Sequence, residues 1–328
     1  MVPAIDVHTH MLSHEWLESI EKFGGPDYAV KRLPGDTGTI SFRGAPFFTL
    51  LPGMFDWEAR IRNMDLARVD VAIVSLTTPS VYWGGEKVSA AAARAINDDF
   101  ASAQRSHRGR IRWFASLPWQ YPKAAVTELR RAVKNGAVGV MVMANIHGEH
   151  LTDPQFEPIW AAIDKLELPV LVHPCSPPGA DALGLKKYRL TPAIGFPFDT
   201  TLAVARMVFD GFLDRHTRLK IIASHGGGAL PFLAGRMDMC WDKMPDSREN
   251  TPEPPRDVLR RVYADAVVYR QDALEMAVSV FGTDNIMYGS DYPHNGGDPV
   301  GCLARVDALR NGVRDKVRGL NAQRLFKI

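Results

Sequence analysis

Eight short apolar runs, with helix-patterned stretches between them, divide this chain into repeated strand–helix units. The runs are Ala4–His10, Asp70–Thr77, Arg110–Pro118, Val138–Asn145, Pro169–Pro174, Lys220–Gly226, Val262–Tyr269 and Asn285–His294. Several are nearly unbroken in aliphatic residues, as in Val138-Gly139-Val140-Met141-Val142-Met143, which marks strands buried on both faces. Between them, Ala90–Ala103, Ala124–Val133, Phe156–Leu166 and Leu202–Leu213 read as helices; the second places Val126, Leu129 and Val133 on one face. Strands that alternate with helices pair in parallel through crossovers. Eight such units in 328 residues match an α/β fold of the (β/α)8 TIM barrel type. A doubly wound open sheet competes with it, but no glycine-rich phosphate loop follows the first run.

Two stretches interrupt the rhythm. Residues 14–56 separate the first strand from its helix and are rich in Gly, Pro and Phe. A connection of that length inside a compact domain reads as a functional cap. Pro245–Asp257, with four prolines, reads as a surface loop. The expected organisation is one barrel domain over 1–328, with 14–56 as a cap insertion after the first strand.

Composition narrows the class. Charged residues nearly cancel, 39 basic against 37 acidic for a net +2, so nucleic acid is not an expected partner. No apolar stretch approaches the ~20 residues needed to cross a bilayer, so no membrane partner is expected either. Three cysteines, Cys175, Cys240 and Cys302, are too few for a disulfide scaffold and suit a reducing compartment. Met1–Asp6 lacks the basic and apolar regions of a signal peptide. The expected location is cytoplasmic.

The chemistry gathers at the strand ends. The first run finishes in His8-Thr9-His10, and side chains two apart on a strand share a face, so both imidazoles can reach one point. The fifth finishes in Val172-His173-Pro174, the sixth in Ser224-His225-Gly226, and the eighth carries Gly289-Ser290-Asp291-Tyr292-Pro293. All five titratable residues fall at C-terminal strand ends, the face where such barrels carry their sites. Histidines kept for packing would not all collect there. Imidazole nitrogen and carboxylate oxygen suit one divalent metal ion, Zn2+ first, with Mn2+ or Fe2+ as alternatives. His8, His10, His173 and Asp291 supply four ligands. His225, beside the permissive backbone of Gly226-Gly227-Gly228, is better cast as a general acid/base, with Asp291 sharing the proton traffic. Run four ends in Met143-Ala144-Asn145, with no Lys, Glu or Cys to bridge a second ion.

These motifs, together with Phe232-Leu233-Ala234-Gly235-Arg236, Gly35-Asp36-Thr37-Gly38 and the closing Asn321-Ala322-Gln323-Arg324-Leu325-Phe326, resemble the amidohydrolase superfamily over nearly the whole chain. The resemblance is greatest to its decarboxylase branch, typified by 2-amino-3-carboxymuconate-6-semialdehyde decarboxylase. It implies the barrel, the same four zinc ligands and His225 as acid/base. It also implies a homodimer in which Arg236 reaches the neighbour's site to bind a substrate carboxylate, a task suited to a guanidinium fork. The chain departs from the pattern twice. Ungapped counting from the Gly35 motif to Asn63-Met64-Asp65 places Phe48 where the branch carries a second carboxylate-binding arginine, with Arg43 five residues away. His294 stands where an aromatic residue usually follows Tyr292-Pro293. A lost carboxylate clamp and a gained imidazole point to another ligand.

Three readings follow. The first is a metal-dependent, non-oxidative decarboxylase of an unsaturated or aromatic carboxylic acid. Its small-molecule carboxylate substrate would be contacted by Arg236, Phe48, His294, Asn145 and Trp83. The second keeps the site but hydrolyses an ester, lactone, amide or carbon–carbon bond. The third, a non-catalytic barrel, predicts a broken ligand set, and all five positions are intact. Tyr82 could stack on a flat substrate, Cys175 could line the pocket, and His147 and His150 read as solvated. Asp265 reads either as a residue of the barrel interior or as the orienting partner of a ligand histidine.

Overall fold

The computed structural model describes residues 2–328. Eight strands form one sheet: β1 Ile5–His10, β2 Val71–Ser75, β3 Ile111–Ser116, β4 Gly139–Met143, β5 Pro169–His173, β6 Lys220–Ala223, β7 Tyr263–Asp265 and β8 Ile286–Met287. Every neighbouring pair is parallel and follows chain order. The ends of the sheet meet. Val7 N–H donates to Tyr288 O at 3.0 Å, His10 N–H to Tyr292 O at 2.7 Å, and Thr9 bridges Tyr292. The result is a (β/α)8 barrel. All residues of β4 and β5 are buried, as their unbroken aliphatic runs require.

Helices wrap the outside. Glu86–Ser106 buries Ala92, Ala93, Ile96 and Phe100, and its Asn97 exchanges two hydrogen bonds of 2.9 Å with Ser116 at the end of β3. Trp119, Trp160 and Phe212 pack in sequence, with ring centroids 4.8 and 5.2 Å apart, welding neighbouring helices together. No helix among the described residues is long and apolar enough to cross a membrane.

After β1 the chain makes a helix, His14–Phe23, capped by Ser13 Oγ, then an antiparallel meander of Tyr28–Leu33, Thr37–Phe42 and Ala45–Leu50. The Gly35-Asp36 motif makes the first turn. The second is a two-residue loop, Arg43-Gly44, with φ of 46° and 76°. Left-handed backbone at both positions is what a tight hairpin of matching twist demands. Ile40, Phe48 and Leu50 turn inward from this small sheet and are buried.

Several expected boundaries shift. The sixth run stops pairing at Ala223, because His225 and Gly226 take φ of 55° and 65° and curl the chain into a turn. The eighth is regular strand only at Ile286–Met287; its remaining residues bond to β1 as an irregular seam. The helix expected over Leu202–Leu213 runs Phe196–Phe209 and breaks at Gly211, whose φ is 61°. Pro245–Asp257 is partly regular, with a short 3-10 turn at Pro245–Arg248 and a helix beginning at Pro255.

Candidate metal centre

β1 sends His8 and His10 to the barrel mouth, β5 sends His173, and the seam after β8 brings Asp291. One ligand atom from each of these four buried residues lies within 4.8 Å of every other. The orientation of the rings is specific. His8 Nδ1 meets Asp265 Oδ2 at 2.6 Å, His10 Nδ1 meets Leu76 O at 3.0 Å, and His173 Nδ1 meets Pro174 O at 2.9 Å. Each Nδ1 therefore donates a proton, and each Nε2 turns inward as a bare lone pair. His8 Nε2 and His173 Nε2 are buried without any hydrogen-bond partner. His8 Nε2 and His10 Nε2 stand 3.5 and 3.1 Å from Asp291 Oδ1.

Lone pairs facing a carboxylate oxygen at such range repel unless a cation lies between them. Burying them uncompensated would cost several kcal/mol (about 1–3 per group). Burial pushes His10 down to about 3 and His173 well below the usual histidine range, so both present neutral nitrogen. For His8, burial opposes the charge, but the adjoining Asp265 carboxylate outweighs it and raises the pKa; the hydrogen bond to Asp265 Oδ2 is what assigns a proton to Nδ1. The donor set fits a divalent metal ion.

Asp265, at the end of β7, does more than orient His8. Its Oδ2 also accepts from His225 N–H at 3.0 Å, and its Oδ1 from Gly226 N–H and Val267 N–H at 3.0 and 2.9 Å. One carboxylate thus ties a ligand histidine to the turn that carries His225. His225 and Asp291 both hold left-handed backbone, φ 55° and 56°, a conformation bulky residues keep only where the surroundings enforce it. His225 Nε2 lies 3.7 Å from Asp291 Oδ2, the oxygen that His8 and His10 leave free. Close packing accounts for the glycines after His225. A Cβ on Gly227 would sit 2.5 Å from the Phe281 ring, and one on Gly228 would sit 2.3 Å from Pro197 O. They are there to let the turn pack.

Phe48 and His294 come together beside the cluster. The His294 ring is 4.8 Å from that of His10, Phe48 meets its edge at 5.2 Å, and His294 Nε2 bonds Thr77 Oγ1 at 3.0 Å. Asn145, expected to hydrogen-bond substrate, already uses its amide group internally. Its Nδ2 donates to Asp199 Oδ1 at 3.0 Å and contacts Cys175 Sγ at 3.0 Å, and its Oδ1 accepts from Gly148 N–H. Trp83 is buried and donates to Ser80 O. It lines, with Tyr82, Asn145 and Cys175, a cavity of about 920 Å3 under the cap. His147 is not merely solvated; its Nε2 bonds Tyr82 O. Arg236 is exposed on the helix Leu230–Lys243, away from its own cluster's contacts. Arg60 escaped sequence reading. It is buried beneath β1, donating to Thr9 Oγ1 at 2.6 Å and to His10 O, with its guanidinium 4.3 Å over the Tyr292 ring. The only signal for it was its place in the helix before β2, where an arginine reads as surface.

Comparison with known proteins places the chain among relatives. The family model described as "Amidohydrolase" matches residues 5–328. A 2-amino-3-carboxymuconate-6-semialdehyde decarboxylase of Dictyostelium discoideum is 30% identical over 325 residues, covering 97% of this chain and 90% of that protein. The crystal structure of Metarhizium anisopliae IDCase in apo form superposes with a TM-score of 0.88 at 26% identity, over 99% of this chain and 97% of that one. A dihydroxybenzoic acid decarboxylase from Polaromonas sp. JS666, with bound manganese and the inhibitor 2-nitroresorcinol, gives 0.80 at 26%, over 100% and 97%.

Proposed function

We infer, since the chain belongs to the amidohydrolase family, that it is a metal-dependent, non-oxidative decarboxylase of an unsaturated or aromatic carboxylic acid. The observation that carries this reading is the set of inward lone pairs on His8, His10 and His173 around Asp291, with His225 on the far oxygen of the same carboxylate. Similar proteins named as decarboxylases favour loss of carbon dioxide over hydrolysis. His8, His10, His173 and Asp291 would hold the cation, and three imidazoles with one carboxylate suit zinc, although a similar structure carries manganese. Bound there, the ion supplies positive charge that orients the substrate's carboxylate or a neighbouring oxygen.

The protein's own groups do the rest. His225 and Asp291 share a proton and deliver it to the carbon that bears the carboxylate. The carbon–carbon bond then breaks, carbon dioxide leaves, and the proton stays where the carboxyl was. Phe48 and His294 would face the substrate beside His10. Arg236 would serve a neighbouring subunit in a homodimer. It is exposed and makes no ion pair among the described residues, and Phe232, one turn earlier, is 78% exposed. Arg236→Ala is then expected to raise KM at least about tenfold, as loss of a charged hydrogen-bonded contact does, with the dimer visible by sedimentation.

The test is direct. Metal-replete protein is incubated with aromatic and unsaturated carboxylates and with a panel of lactones and esters, trapping carbon dioxide. Release from the acids, abolished by His225→Asn, is the expected result. Turnover of the lactones alone would replace this reading with hydrolysis.

A further inference from the structure

A small aromatic acid does not need the space this barrel keeps beside its cluster. The cavity under the cap measures about 920 Å3, at the upper end of the roughly 300–1,000 Å3 that holds a drug-sized ligand. None of the four cluster residues lines it, yet it begins where they end. Met143 is the register partner of His173, Cys175 lies two residues beyond His173, and Thr78 follows the Thr77 that holds His294. The cap joins the two spaces as well. Phe48 packs on His294, while its neighbour Phe47, set beside Phe42 and Tyr28 by a bulge in the same strand, lines the cavity.

Tyr28, Phe42, Phe47 and Trp83 put flat aromatic surface on its walls, between the charged Asp27, Arg43, Asp181, Lys186 and Arg189. Cys175 gives the cavity its depth. Its short side chain is held against Asn145 and Asp199, and its backbone N–H bonds Asp199 at 2.9 Å.

We propose that the substrate is an aromatic carboxylic acid larger than one ring, its carboxyl end at the histidine cluster and its second ring in the cavity beneath the cap. This rests on the decarboxylase reading for which end reacts, but not for the binding itself.

Calorimetry on the metal-replete protein separates the two. The probes are 2,6-dihydroxybenzoate, with one ring, 1-hydroxy-2-naphthoate, with two fused rings, and a hydroxybiphenyl carboxylate. Burying a second ring should tighten binding at least about tenfold over the single-ring acid. Cys175→Phe, which fills the cavity, should remove that preference. Phe47→Ala, which removes one aromatic wall, should weaken the two-ring acid about fivefold and leave the one-ring acid unchanged, and covers the case in which Cys175→Phe does not fold. Equal affinity for one-ring and two-ring acids would overturn the proposal, as would a preference that survives in folded Cys175→Phe. Carbon dioxide release is measured in parallel. Tight two-ring binding without release would sink the decarboxylase reading and leave the cavity's role standing; release with no ring preference would do the reverse.

Discussion

Single side chains at this site differ in what their chemistry announces. His8, His10, His173 and Asp291 were legible because a titratable residue at the end of an aliphatic strand has few reasons to be there. Arg60 was not, since nothing in a helix pattern says which arginine is pulled under the barrel by a strand's carbonyl groups. Replacing it with leucine should cost about 1–3 kcal/mol, from a buried His10 carbonyl left unpaired and a Thr9 hydroxyl left with only its bond to Tyr292 O; the urea midpoint measures it. Asp265 is a different case, because its four contacts couple a ligand to the acid/base turn. Asparagine in its place can still accept from His8 and from His225 N–H, but its amide nitrogen cannot accept from Gly226 and Val267 N–H. Metal affinity should fall about 10–100-fold in a chelator competition, and carbon dioxide release should fall further than metal loading explains. Cys175 illustrates burial acting on reactivity. Desolvation and the Asp199 carboxylate lift its thiol well above the usual range, and burial pushes Cys302 up to about 12. In the folded protein iodoacetamide should therefore label the partly exposed Cys240 at least about tenfold faster than either, as read by peptide mass spectrometry.

Elements were easier to place than to bound. Aliphatic runs identified every barrel strand, because burial on both faces leaves no room for polar residues. Their ends were misjudged wherever the backbone turned left-handed, as after β6, where the sequence Ser224–Gly228 continues the run in composition but not in direction. The cap posed the opposite problem. Residues 14–56 were recognisable as an insertion from length, yet the helix within them went unread although Trp16, Leu17 and Ile20 share its buried face, and the first strand of the meander is largely exposed. The turn after β6 shows how much depends on an element so small. Gly228→Ala would press a methyl against Pro197 O and strain a φ of 61°. Such a clash costs typically 1–3 kcal/mol, and it should displace His225 before it unfolds the barrel. The expected outcome is a fall in kcat larger than the loss of stability predicts, with the metal still bound.

At the scale of the whole molecule, the cluster and the closure of the barrel are one problem. Two ligands come from β1 and one from the seam after β8, the two ends of the sheet that must find each other last. Asp6 fastens that seam from behind, accepting from Ser290 Oγ at 2.5 Å and from Ser290 and His8 N–H groups at 3.1 and 3.2 Å. A cation held by His8, His10 and Asp291 would fasten it from the front, with His173 reaching across from the fifth strand. Chain order alone could suggest that these donors converge; it could not say that they also close the ring, because hydrogen bonds between the first and last strands leave no trace in local composition. Binding to the folded state alone stabilises it by about 4 kcal/mol when free ion exceeds Kd by about 1,000-fold. In a chain of this size that corresponds to roughly 6 °C in Tm. Exhaustive chelation should lower Tm by about that much, and amide exchange should rise first in β1 and the 285–292 segment and less in β3 and β4, which no ligand touches. Uniform loss of protection around the barrel would mean that the ion is not what holds the seam.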